Sequence, residues 1–136
     1  MRHPTILLIT SSGGSGHLIA AKAIKESIEN GPHPKVVLEQ DVSKDWLGNF
    51  FGQIFISIWN TSQINGWIFM QEFLSTIHPL TYIFFTPSIF FHCFRLLIKY
   101  DFERVIDDQV LGTKAITNAV RLYNWLKKTI LRWRKF

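Results

Sequence analysis

At 136 residues and 47% apolar content, the chain is long enough for about one domain and apolar enough to fill a core, which excludes a disordered tail or a low-complexity linker. Fifteen Lys and Arg against 10 Asp and Glu leave a net charge of +5, and six of those cations fall between Arg121 and Lys135 with no acid among them. That balance favours an anionic partner, a membrane surface or a nucleic acid. Cys93, the single cysteine, rules out an internal disulfide and a cysteine-rich metal site and fits a reducing cytosol.

In chain order, Thr5 to Thr10 is a short apolar run that predicts a buried strand. It runs into glycines and is too short for the apolar core of a secretory signal. Ser11-Ser-Gly-Gly-Ser-Gly16 follows as a loop, and a helix is expected from about His17, with Ile19, Ala20, Ala23, Ile24 and Ile28 near helical spacing. Asn30-Gly31, then Pro32 and Pro34, stop that helix. Val36 to Asp41 predicts a second strand. Strand, helix and strand within so short a span imply a parallel, right-handed βαβ unit.

From Trp46 to Phe102 the composition changes. Trp46–Gln71 and Phe73–Phe94 carry no formal charge, and much of the chain's 12 Phe and 5 Trp lies here. Polar residues, glycines and prolines interrupt both stretches, so neither reads as a clean spanning helix of about 20 apolar residues. Two or three helices are expected, broken near Asn65-Gly66 and at Pro79 and Pro87. Two accounts stay open: the aromatics form a helical core, or part of them remains exposed to hold a lipid or dip into a bilayer.

Glu103 to Gln109 predicts a short third strand that ends in acids. Gly112-Thr113 opens another helix, with Thr113 as N-cap, running from Lys114 to about Trp133. Ile116, Val120, Tyr123, Ile130 and Trp133 share one face. Arg121, Lys128, Arg132 and Lys135 share another, at offsets close to whole turns. With Trp125 and Trp133 at the boundary, this is the composition of a helix lying on an anionic membrane; an ordinary solvated face has the same pattern. A nucleic-acid binder is the weaker reading, because no recognised nucleic-acid module surrounds the basic residues.

The glycine loop is tested against its rivals by the residues each rival needs. A P-loop requires Gly-Lys-Ser/Thr, whereas Gly16 is followed by His17 and Leu18. A dinucleotide fingerprint beginning at Gly14 needs a small residue where Ile19 stands, although Asp41 would suit a ribose-binding acid. No Gly-x-Ser-x-Gly elbow is present, and Ser11, Ser12 and Ser15 have no evident acid–base partners. His17, His78 and His92 lack metal-ligand spacing, so no metal and no cofactor is expected.

What remains is a strand, then Gly14-Ser15-Gly16-His17-Leu18-Ile19-Ala20-Ala21-Lys22-Ala23-Ile24. This stretch resembles the opening of the N-terminal domain of the monogalactosyldiacylglycerol synthase and processive diacylglycerol glucosyltransferase family. The order of the later elements is loosely similar too. The resemblance implies a Rossmann-like, three-layer α/β half of a GT-B fold, with a parallel sheet of few strands and a large aromatic helical insertion. It implies sugar transfer from a nucleotide donor to a diacylglycerol-type acceptor at the cytosolic face of the membrane, with the chain peripheral to it. His17 would be the general base that deprotonates the acceptor hydroxyl, a task suited to an imidazole, which ordinarily titrates near neutral pH. Gly13, Gly14, Ser15 and Gly16 would meet substrate, and Trp125, Lys128, Arg132, Trp133 and Lys135 the membrane. The family's donor site lies in a second, C-terminal domain, and residues 1–136 end before one begins. The expectation is therefore an acceptor domain inactive alone, which meets a nucleotide sugar only through a donor-domain companion chain. The alternative is a non-catalytic membrane-binding or protein-interaction module.

Overall fold

The computed structural model describes residues 4–109 and 112–133, with the side chains of Asn49, His78 and residues 131–133 left out. The chain is α/β. Strand β1 (Ile6–Thr10) leads through the glycine loop to helix α1 (Ser15–Glu29) and back to strand β2 (Val37–Asp41). A π-helical turn, Val42–Trp46, hands the chain to helix α2 (Asn49–Ile64) and helix α3 (Ile68–Tyr100); strand β3 (Arg104–Asp107) and helix α4 (Thr113–Trp133) complete it. The sheet is small, open and wholly parallel, in the order β2-β1-β3, compatible with a Rossmann-like fragment.

β1 is central, and every one of its residues is buried, as a strand covered on both faces requires. Its side chains alternate between two clusters. Ile6 and Leu8 face Ala21, Ile24 and Ile28 of α1. Leu7 and Ile9 face Ile89, Cys93 and Leu97 of α3, Ala115, Ile116 and Ala119 of α4, and Trp46 of the π-helical turn. The result is three layers, with α1 on one side of the sheet and α3 with α4 on the other. Each fully buried Leu or Ile contributes about 1.5–3 kcal/mol, so the centre of stability is β1 and its two neighbours.

Two sequence expectations are corrected. Of the α1 residues expected at helical spacing, Ile24 and Ile28 pack on the sheet together with Ala21, whereas Ala23 is exposed and Ile19 is 69% exposed. The expected breaks at Pro79 and Pro87 do not occur, because α3 runs unbroken through both. Both prolines stand on exposed positions, where the carbonyl each one leaves without a partner meets solvent. Tertiary packing at either end overrides the local preference. The break at Asn65-Gly66 is present: Asn65 caps α2, and Gly66 takes φ +62° to start the turn into α3.

The first half of α3 and all of α2 project beyond the sheet as a helical pair. Of the 22 residues Pro79–Tyr100, which are long and apolar enough to cross a membrane, only 17% of the apolar window is buried. Those that are buried, Ile89, Cys93 and Leu97, pack on the sheet. Exposed aromatics dominate elsewhere, with Phe50, Phe51, Phe69, Phe84 and Phe91 all more than half exposed. The region divides: Phe85, Phe90 and Phe94 pack against the core, and the other face of the helices stays uncovered.

Thr113 does not cap α4 with its side chain. Its hydroxyl donates to the Gln109 carbonyl at 2.9 Å, while Gly112, at φ +88°, accepts the first helical bond from Ile116 N–H. A Cβ on Gly112 would also fall 2.5 Å from Ile89 Cδ1.

Candidate functional site

The three strands end side by side at Thr10, Asp41 and Asp107, and parallel sheets place their ligands beyond such carboxyl ends. The loop from Ser11 to Gly14 fills this edge. Gly14 adopts φ +111°, which only glycine takes without strain, and it opens α1 with no side-chain cap. The first-turn N–H groups of α1 are thus turned outward with the positive end of the helix dipole.

The loop is tied down from both sides. Ser12 donates to the Asp41 carboxylate, and Ser11 shares a 2.8 Å hydrogen bond with Ser43 of the π-helical turn. Asp41 also accepts the N–H groups of Ser43 and Lys44 at 2.9 and 3.2 Å. It is the cap of that turn and the anchor of the loop, so a ribose-binding role is already displaced by structural bonds.

His17 lies one turn before Ala21 on the stripe of α1 that faces the sheet. Its Nδ1 stands 4.0 Å from Oδ1 of Asp108, with side chains 36% and 23% exposed. Asp108 follows β3 directly and is fixed by its N–H, which donates to the Ile9 carbonyl at 2.8 Å. At the same edge, Asp107 Oδ2, Asp108 Oδ2 and both polar atoms of the Gln109 side chain are buried without hydrogen-bond partners among the described residues. Buried polar atoms are rarely left so. The Asp107 carboxyl is held above the usual carboxylate range, first by burial and further by Asp108, while hydrogen bonds from Thr113 and the Gln109 N–H only partly oppose this.

The residues predicted from sequence separate into two places. Gly13, Gly14, Ser15, Gly16 and His17 do gather at one edge. Two of the glycine amides turn inward, however: Gly13 N–H donates to Ser11 Oγ at 3.3 Å and Gly14 N–H to the Ser12 carbonyl at 3.0 Å. Both amides close the loop, which leaves Gly16 and its helical successors as the outward donors. Around Gly16 a Cβ would meet nothing within 4 Å, so a ligand has room there. Trp125 and Lys128 are exposed on α4, which starts at this edge and runs away from it. They lie toward the opposite end of the sheet. Lys135 and the side chains of Arg132 and Trp133 lie outside the described residues.

Asp108 and Gln109 are the site residues that sequence reasoning missed. The available signal was their place at the carboxyl end of a strand in a βα unit. Cys93 contributes no thiolate chemistry, because burial, with Asp107 adding to it, pushes its thiol up to about 12. No group of three His, Cys, Asp or Glu suited to a metal ion occurs among the described residues. Comparison with protein-family models, with curated proteins and with solved structures returns no match for this chain.

Proposed function

We propose that this chain is the lipid-acceptor domain of a GT-B-type glycolipid glycosyltransferase, peripheral to the cytosolic membrane face and working together with a donor-binding domain. The observation that carries the reading is His17 Nδ1 4.0 Å from the Asp108 carboxylate at the open edge of a parallel sheet, beside a largely apolar, exposed helical pair. His17 would take the proton from the acceptor hydroxyl as that oxygen attacks the sugar's anomeric carbon and the nucleotide leaves with the bonding pair. Asp108 would position the imidazole and stabilise its protonated form. The outward N–H groups of α1 would face the phosphates of the donor or the acceptor head group.

The test is transfer of labelled glucose or galactose from its uridine diphosphate ester to dioleoylglycerol. It uses this chain together with a donor-binding domain of the same class. His17→Ala should lower turnover by at least about a hundredfold while vesicle binding persists. Turnover that survives the substitution removes His17 as the base.

A second reading is favoured by the inward amides of Gly13 and Gly14: a membrane-binding module derived from such a domain, with its anion cradle closed. It predicts no transfer with any companion chain.

A further inference from the structure

Between α2 and α3 lies an open groove of about 570 Å³. Phe51, Phe55 and Ile58 line it from one side and Met70, Ile77 and Phe85 from the other. Among the described residues no charged side chain lines it, and the polar residues of its lining are Ser57, Thr61, Thr81 and Trp67. From Phe51 to Thr61 it follows α2 for about 15 Å at 1.5 Å per residue.

The inner end of this groove adjoins the polar site through three contacts. Ser11 of the glycine loop is bonded to Ser43. The carbonyl of Ser43 lies against Gly52, so closely that a Cβ there would sit 1.7 Å from it. Gly52 is flanked on α2 by the groove residues Phe51 and Phe55. On the α3 side, Ser88 donates to the Trp46 carbonyl at 2.7 Å and holds the wall at Phe85 to the same π-helical turn. A polar edge and an apolar slot thus share one short segment, Ser43–Gly52, as their common border.

We propose that the groove is an acyl-chain slot, which takes one hydrocarbon chain of a membrane lipid whose polar head lies at the Ser11–His17 edge. This rests on the acceptor-domain reading above and specifies how the acceptor is held. The occupant follows from what surrounds the slot. A water-soluble protein helix would fill the groove yet leave Phe50, Phe69, Ile83 and Phe84, on the outer sides of the same two helices, in water. A bilayer covers those residues and supplies the chain at once. Charge agrees: α4, in the same layer as the second half of α3, carries Lys114, Arg121 and Lys128 on its exposed side and no acid from Thr113 to Trp133. That pattern matches an anionic lipid surface.

A length series of monoacylglycerols, each below its micelle concentration, tests this through the fluorescence of Trp67, which lines the groove. Affinity should rise roughly fourfold per methylene and then level off once the slot is full. Ile77→Trp, which fills the slot, should move the plateau to shorter chains and weaken the longest by at least about tenfold; Ile58→Ala, which enlarges it, should move the plateau the other way. Native mass spectrometry should find one lipid per chain. No plateau, plateaus unmoved by both substitutions, or a lipid-free dimer that excludes the probe overturns the inference. His17→Ala, at the head-group edge, should shift affinity by one common factor at every chain length and leave the slope per methylene and the plateau unmoved. Absence of transfer by the unaltered chain with an intact series strikes the catalytic reading alone, and transfer with a flat series strikes only the slot.

Discussion

Ser43 meets Ser11 through its hydroxyl and Gly52 through its carbonyl, and the second contact makes a prediction. Its carbonyl occupies the place where any side chain at Gly52 would have to go. The obstacle is backbone, which yields little, so Gly52→Ala should cost about 1–3 kcal/mol and separate α2 from the π-helical turn. Gly16→Ala is the matched opposite. Gly16 lies in α1 with open space around it, so alanine there should raise stability by roughly 0.5–1 kcal/mol while it obstructs a ligand at the helix N-terminus. Urea denaturation of both variants reads the opposite signs; two losses would mean that the first turn of α1 is not helical as described. Asp107 gives a pH dependence. Burial holds its carboxyl above the usual range, so the folded chain keeps this proton to higher pH than the unfolded chain, where the carboxyl titrates near about 3.9. Stability from this group is full below that pH and is lost as pH rises through the raised value. Asp107→Asn should therefore stabilise the fold at pH 7, with the gain shrinking toward zero in acid, as urea midpoints across that range will show. Of the site, Gly14 and His17 were legible in the sequence because glycine punctuation and a helix start are local signals. Asp108 was not, because its meaning comes from β3 lying beside β1, a contact between residues a hundred positions apart.

The elements repeat that division. β1, α1 and β2 were legible from a buried apolar run, a glycine loop and a helix stop, all within forty residues. The course of α3 was not. Two prolines argue locally for two breaks, yet Ile89, Cys93 and Leu97 anchor one end on the sheet and Leu74, Ile77 and Phe85 line the groove at the other. A continuous helix that carries prolines holds unspent stability, since an interior proline costs on the order of 3 kcal/mol against alanine. Pro87→Ala should therefore raise the thermal midpoint and add helical circular dichroism. A fall would show that the proline itself holds α3 in place at this point, for example by keeping Phe85 in the groove lining. At its other end α3 is fastened to α4. Asp101, at φ +50°, accepts hydrogen bonds from Lys127 and Tyr123. Those bonds hold its carboxyl below the usual range, with Lys127 the largest cause. The pair is solvent-exposed, so its contribution to stability is under about 1 kcal/mol; its effect is to set where α4 leaves the body. Beyond that point Ile130, on the same apolar face as Ile116 and Val120, is 55% exposed.

At the scale of the molecule, the chain exposes more surface than a compact body of its size. Its accessible area is 9381 Å² for 15.9 kDa, whereas a compact monomer of that mass exposes about 7,400 Å². The excess has a definite shape. Phe69, Phe73, Leu80, Phe84, Phe91 and Ile98 are all exposed and recur at offsets of four and seven, which places them on one face of α3. At 1.5 Å per residue that ridge runs for about 44 Å. The second half of α3 shares its layer with α4, whose outward face bears Lys114, Arg121, Trp125 and Lys128. The apolar ridge and the basic face thus border one side of the molecule, and α1, with Glu26 and Glu29, covers the other. A bilayer that meets this side would receive α3 lying in its plane, not the α2–α3 turn entering first. The two orientations differ in one measurable respect. If α3 lies flat, Phe69→Ser near the turn and Phe91→Ser near the sheet should each weaken binding to vesicles of phosphatidylcholine and phosphatidylglycerol by about tenfold or more, from the 1.5–3 kcal/mol that burying a Phe contributes. If the turn enters first, only Phe69→Ser should matter. The double change Arg121→Gln with Lys128→Gln should lose about 2 kcal/mol of binding at low salt and flatten its salt dependence, because both charges lie within reach of the lipid surface. Glu26→Gln on the opposite side should change nothing. Cosedimentation of the purified chain measures all four, and wild-type binding by Phe91→Ser would exclude the flat orientation.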